Sequence, residues 1–168
     1  MSYVIDGKRV RYVGDGEGHV GYAVEKYERD EHDILRTQTH ENDGIDCRSG
    51  EGVEMKAARV ELANGNPGRF ILRQHQHRTL FEEDRDYLFA VYREVTEDEW
   101  IVEADVRLPA REFHDAVDVD GRRWVERRTP TGYYREMGVR WTDVPVLGWR
   151  LPERFEDPLQ EFRGWDDE

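Results

Sequence analysis

The chain has 168 residues and a mass of 20.0 kDa, which suits one domain of about 100–200 residues with room for a real core. A single cysteine, Cys47, excludes an internal disulfide framework and a cysteine-rich zinc site, and no apolar run approaches the ~18 residues of a spanning helix. The formal net charge of −13, with no basic or apolar leader at Met1–Asp6, leads us to expect a soluble cytoplasmic protein that does not meet a membrane.

Only three of the 25 basic residues are lysines (Lys8, Lys26 and Lys56), the rest being arginine. An acidic chain that avoids lysine resembles the proteome bias of salt-adapted archaea, where charge is screened over about 3 Å at 1 M salt. An acidic, arginine-rich product of a GC-rich genome is the other reading. In ordinary buffer the net charge opposes nucleic-acid binding, because Lys and Arg on phosphates supply most of that affinity. In concentrated salt the objection weakens, since counterion release contributes little there.

In chain order, residues 3–13 alternate around Asp6-Gly7 and predict an N-terminal hairpin. Val20, Ala23, Val24 and Tyr27 share one face of a helix over 19–32. Strands are expected at 34–39, 45–48 and 53–62, with a loop at Asn64-Gly65-Asn66-Pro67-Gly68 and extended chain at 69–73. Residues 74–83 form a short helix with Leu80 and Phe81 directed at the next strand. Residues 86–93 are almost continuously apolar and read as a strand buried on both faces. Residues 99–108 alternate and read as half-buried. Pro109-Ala110 opens a helix, followed by short strands at 122–128 and 133–137 and an irregular tail from Leu151. This order is α/β with a mixed sheet. The expected division is an N-terminal hairpin (1–17), a core (18–108) and a C-terminal extension (109–168).

The chemistry gathers around Asp46 and Glu54-Met55-Lys56. Glu54 and Lys56 are two apart on a strand and leave by the same face. If Ser49-Gly50-Glu51 is the loop of a tight hairpin, Asp46 faces Glu54 directly, with Cβ atoms about 4.5–5.5 Å apart. Two carboxylates that close call for a hard divalent cation with oxygen ligands, Mg²⁺ or Mn²⁺, to which the Met55 carbonyl can add a ligand. Lys56 then points at the attacking water or the reacting phosphate.

An Asp-x7-Glu-x-Lys pattern on consecutive strands in an α-β-β-β-α-β order resembles the PD-(D/E)xK nuclease superfamily, which includes restriction endonucleases and archaeal Holliday-junction resolvases. The similarity lies in Gly44-Ile45-Asp46 and Gly52-Val53-Glu54-Met55-Lys56-Ala57, and runs on through Arg73-Gln74-His75-Gln76-His77 to Leu88-Phe89-Ala90-Val91-Tyr92. It implies a restriction-endonuclease-like core and Mg²⁺-dependent hydrolysis of DNA, with Asp46 and Glu54 on the metal and Lys56 in catalysis. It also implies a helix glutamate, matched by Glu25, and leaves Gln74 to orient the lysine or the water. Ile45 stands where the family pattern has proline. A catalytically silent binding module and an RNA-directed nuclease are the alternatives.

Other residues have plainer readings. Asp43 competes with Asp46 as the metal ligand, although the Asn42-Asp43-Gly44 turn accounts for it. His75 and His77, two apart on a helix, do not face each other and make no two-histidine metal site. Cys47 reads as a small core residue, and Arg122, Arg123, Arg127 and Arg128 as solvated. Residues beyond 109, with Trp124, Tyr133, Tyr134, Trp141 and Trp149, carry aromatic surface suited to a homodimer interface.

Overall fold

A computed structural model describes residues 2–4, 8–11, 20–32, 34–36, 44–46, 52–94 and 99–148; of strands within 2–11, 34–36 and 44–46 it gives the backbone alone. The elements are β1 (Ser2–Val4), β2 (Lys8–Arg11), α1 (Val20–Glu31), β3 (Ile34–Arg36), β4 (Gly44–Asp46), β5 (Gly52–Arg59), β6 (Arg69–Arg73), α2 (Gln74–Glu82), β7 (Asp86–Glu94), β8 (Glu99–Pro109), α3 (Ala110–Ala116), β9 (Val125–Thr129) and β10 (Gly132–Arg140). The architecture is mixed α/β. A seven-stranded sheet runs β1-β8-β7-β5-β4-β3, with β2 also on β8, and a three-stranded sheet runs β6-β10-β9. No helix among the described residues is long and apolar enough to cross a membrane.

The parallel pair β5–β7 forms the centre, joined by a crossover through β6 and α2. Parallel strands are covered on both faces, and the unbroken apolar run of β7 fits that place: Tyr87 through Tyr92 are all buried. Side chains alternate across it. Tyr87, Phe89 and Val91 enter the main core with Leu80 of α2, Phe113 of α3, and Phe70, Leu72, Met137 and Val139 of the second sheet. Ala90 and Tyr92 face the other way, with Trp100 and Val102 of β8, under Val24 and Tyr27 of α1. The two layers over the central sheet are therefore α1 on one side, and α2, α3 and the small sheet on the other.

Three expectations need correction. The N-terminal segment is not a hairpin. β1 and β2 both run antiparallel to β8, in nearly continuous register from Ser2↔Arg107 to Arg11↔Glu99. An eleven-residue β8 exposes a long edge of backbone donors and acceptors, and β1 and β2 pair with its two ends. β8 itself is buried on both faces, because its bulge switches the alternation: Trp100 and Val102 face α1 while Ala104 and Val106 face the main core, and Glu103 and Asp105 are buried with them. Glu103 is the extra residue of a bulge opposite Val91/Tyr92 and accepts a 2.7 Å bond from Arg93 Nε. Finally, Trp141 belongs to the core and not to a free aromatic surface: its indole N–H donates to the Val60 carbonyl at 2.8 Å. Trp124 packs partly buried against the same core, while Tyr133 stays exposed.

The loop after β5 is held by close backbone approach. A side chain on Gly68 would meet the Arg59 carbonyl oxygen at 2.0 Å, so only glycine lets the chain turn back here. The Gly68 main-chain N–H donates to the Arg59 carbonyl at 3.1 Å, and its own carbonyl accepts from the Trp141 main-chain N–H at 3.2 Å, continuing the β6–β10 ladder. Residues 37–43, 47–51 and 149–168, including the tail and Trp149, lie outside the described residues, as does the Asp6-Gly7 turn.

Candidate active site

β5 lies between β4 and β7, and its alternation sorts its residues by chemistry. Val53 and Met55 pack with Leu88. Glu54 and Lys56 leave by the opposite face, beside their register partners Tyr87 and Phe89. The two come together as expected: Lys56 Nζ lies 3.1 Å from Glu54 Oε1. The Glu54 side chain is 1% exposed and that of Lys56 16%, so the carboxylate is the floor of the site and the ammonium its outer wall. A carboxylate this deep requires a charged or hydrogen-bonding partner to remain ionised. Because the Met55 side chain is committed to the other face, its main-chain carbonyl is the hard ligand atom it can offer.

The register of β4 differs from the tight-hairpin expectation. Gly44 pairs with Val53 and Ile45 with Gly52. The expected ladder set Asp46 opposite Glu54, so the observed one is shifted by three residues. Hairpin register and loop length are linked, and the described pairing ends at Ile45↔Gly52. Asp46 keeps its place at the end of β4, and its side chain, like Asp43 as a whole, lies outside the described residues. An odd shift matters because the side-chain period is two, and it raises Asp43 as the rival carboxylate.

Gln74 is the first residue of α2, half-buried, on the same side of the sheet as Glu54 and Lys56. Glu25 is not brought to that pair. It lies on α1, over the opposite face, close enough to the Tyr92 hydroxyl to raise its pKa as a lesser effect beside burial. Leu80 is fully buried against β7 as expected, whereas Phe81 turns toward α3, its ring centroid 4.7 Å from that of His114 and tilted by 53° to it.

Two clusters escaped the sequence reading. The first runs outward from the floor of the site. The hydroxyl of Tyr87, the register partner of Glu54, lies 2.8 Å from His77 Nδ1. His77 Nε2 is 2.9 Å from His114 Nδ1, and His114 Nε2 is 3.1 Å from Asp120 Oδ2. With both rings neutral and Asp120 a carboxylate, one arrangement satisfies every contact: Tyr87 donates to His77, His77 to His114 and His114 to Asp120. Burial, then the neighbouring His114, pushes the His77 pKa down to about 4, in keeping with a neutral ring. Burial, with Glu54 beside it, raises the Tyr87 hydroxyl well above its usual range.

The second cluster is on the α1 face, where Glu28, His32 and Asp105 present three ligand atoms within 4.8 Å of one another. His32 Nε2 lies 2.9 Å from Asp105 Oδ2 and 3.2 Å from Glu28 Oε2. The Asp105 hydrogen bond, then the close Glu28 carboxyl group, raises His32 to about 9, and burial raises Glu28 to about 8. A sequence signal for part of it existed: Glu28 is four residues from Val24 and from His32, so it sits in the apolar stripe of α1.

A family model of the PD-(D/E)XK nuclease superfamily domain matches residues 14–145. The chain belongs to the PD-(D/E)XK nuclease superfamily. The match runs past the segment 18–108 that carried the resemblance and takes in the second sheet and Trp141, in agreement with their place in the core. No curated protein and no solved structure gives a significant match.

Proposed function

We propose that this nuclease-superfamily domain is a divalent-metal-dependent endonuclease that hydrolyses phosphodiester bonds in DNA, with Glu54 and Lys56 as its central groups. The observation that carries the reading is the 3.1 Å pair of a fully buried carboxylate and a lysine on one strand face. The donor set fits a hard cation: Glu54 and the Met55 carbonyl are oxygen ligands of the kind Mg²⁺ and Mn²⁺ prefer. An aspartate from the β4 segment would add the second carboxylate, Asp46 or, given the observed register, Asp43. When bound, such a cation polarises the phosphate and lowers the pKa of water. The chain's own part is to hold Glu54 rigidly over Tyr87 and to keep the Lys56 ammonium toward solvent. There it meets the charge that develops on the phosphate and orients the attacking water. Gln74, at the start of α2 on this side, is positioned to assist that orientation. Retention of both Glu54 and Lys56 favours an enzyme over a silent binding module.

Cutting both strands of a duplex with one site per chain suggests a two-fold homodimer, with the β9–β10 hairpin and its exposed Tyr133 and Val125 as the proposed contact. Light scattering in concentrated salt tests it. The activity itself is tested by incubating plasmid, linear, branched and single-stranded DNA, and RNA, with the protein and Mg²⁺ or Mn²⁺ across a salt series. Expected is metal-dependent DNA cleavage that is lost in either Asp46→Ala or Asp43→Ala. Cleavage that persists in both would remove the second carboxylate from the account.

A further inference from the structure

Across the central sheet from Glu54 and Lys56, the cluster on α1 and β8 has no part in the proposed hydrolysis. We propose that Glu28, His32 and Asp105 bind a divalent first-row transition-metal ion, such as Zn²⁺ or Mn²⁺, that fastens α1 to the central sheet. The inference does not rest on the nuclease reading.

The first reason is Glu28. It is 1% exposed, and among the described residues neither of its carboxylate oxygens makes a well-formed hydrogen bond. A buried acceptor left so loses its hydration with no return. The approach of His32 Nε2 at 3.2 Å cannot repair this, because the same nitrogen lies nearer Asp105 Oδ2, at 2.9 Å. A ring nitrogen carries one hydrogen, and here two carboxylates face it. A cation in the space between them serves both at once.

The geometry fits such an ion. Ligand atoms at about 2.0–2.1 Å from a tetrahedral ion lie roughly 3.3 Å from each other. The two observed contacts are slightly shorter and all three atoms stay within 4.8 Å, so small rotamer changes suffice. Glu28 and His32 are one helical turn apart, a spacing that aims both at one point, and Asp105 meets them from β8. Two carboxylates and a neutral imidazole also balance a double positive charge. Imidazole among the ligands selects a transition ion over Mg²⁺. The His32 side chain is 21% exposed, which leaves an entry route and room for water as the remaining ligand.

The test is a titration of the metal-stripped full-length protein with Co²⁺, read by its visible absorption, in excess Mg²⁺ to occupy any oxygen-only site. The expected result is one equivalent of Co²⁺ that Mg²⁺ does not displace and that Zn²⁺ does. Glu28→Gln and His32→Gln should each weaken it by about tenfold or more, and Glu54→Gln should leave it unchanged. Glu28→Gln removes a buried charge and is expected to fold. Should His32→Gln not fold, Asp105→Asn replaces it. Absence of Mg²⁺-resistant Co²⁺ binding would overturn the proposal and leave the cluster as a protonated imidazole between two carboxylates. Equal binding in the wild type and the Glu28 variant would overturn it too.

Discussion

Both faces of the central sheet bury a carboxylate to 1% exposure, and they support it differently. Glu54 has a base two residues along its own strand, so one hairpin brings charge and partner together. Glu28 shares a single imidazole with Asp105, and the cluster spans a helix and a strand 73 residues apart in sequence. The Glu54 face is also backed by a chain of hydrogen bonds out to Asp120, whereas among the described residues neither Glu28 oxygen makes a well-formed hydrogen bond. The lesson is that a buried charge with a local partner is readable as a strand motif, and one whose partners arrive from elsewhere shows only as an acid in an apolar stripe.

The comparison can be broken or sharpened experimentally. The largest effect should come from the strand under both clusters. Phe89, fully buried and 4.6 Å from the Phe70 ring, should cost about 3–5 kcal/mol as Phe89→Ala, measured by urea unfolding. A loss below 1 kcal/mol would show that the two layers do not meet where described. The His77 chain gives the next effect. Its folded pKa, near 4, lies below the ordinary 6.5, so the unfolded chain takes up the proton first as pH falls. The neutral ring thus contributes stability that is complete above pH 6.5 and lost as pH falls toward 4, by about 2–3 kcal/mol. His77→Gln should flatten that window. Tyr87, His114 and Asp120 are the titratable groups linked to this ring in the chain. On the α1 face, Glu28→Leu in metal-free protein should be neutral or stabilising by about 1–2 kcal/mol, since it removes a buried carboxyl group that makes no well-formed hydrogen bond among the described residues while His32 keeps Asp105. Clear destabilisation would mean Glu28 is better satisfied than its surroundings indicate. Far from both clusters, Arg128→Ala breaks only an exposed pair with Glu126 and should change stability by less than about 0.5 kcal/mol.

Much of the fold was legible because its signals are local. The helical stripe of α1, the apolar run of β7, Pro109 before α3, and the shared face of Glu54 and Lys56 each follow from spacing within a few residues. What failed depends on distant partners. The strand pattern of β1 and β2 is present in the sequence, but its partner is β8, about a hundred residues on, and not itself. The alternation of β8 predicts one apolar and one wet face, yet the bulge at Glu103 sends Trp100 and Val102 toward α1 and Ala104 and Val106 into the main core, and Asp105 is buried. Trp141 reads as spare aromatic surface until the Val60 carbonyl, 81 residues away, takes its N–H. The β4 register pairs Ile45 with Gly52, where the Ser49-Gly50-Glu51 reading paired Arg48 with it, because the register of a short hairpin is not fixed by its turn residues alone. His77 meets His114 only because α2 and α3 pack together.

The central claim is that hydrolysis belongs to the Glu54 face and not to the α1 face. The most direct measurement is the single-turnover DNA cleavage rate of Lys56→Ala against that of Glu28→Leu, both confirmed as folded, under Mg²⁺. Lys56→Ala should slow cleavage by about 10²–10³-fold, equivalent to roughly 3–4 kcal/mol, because it removes a charge aimed at the developing phosphate charge. Glu28→Leu should cut at the wild-type rate. A Lys56→Ala enzyme that cuts normally, or a Glu28→Leu enzyme that does not cut, would contradict the account.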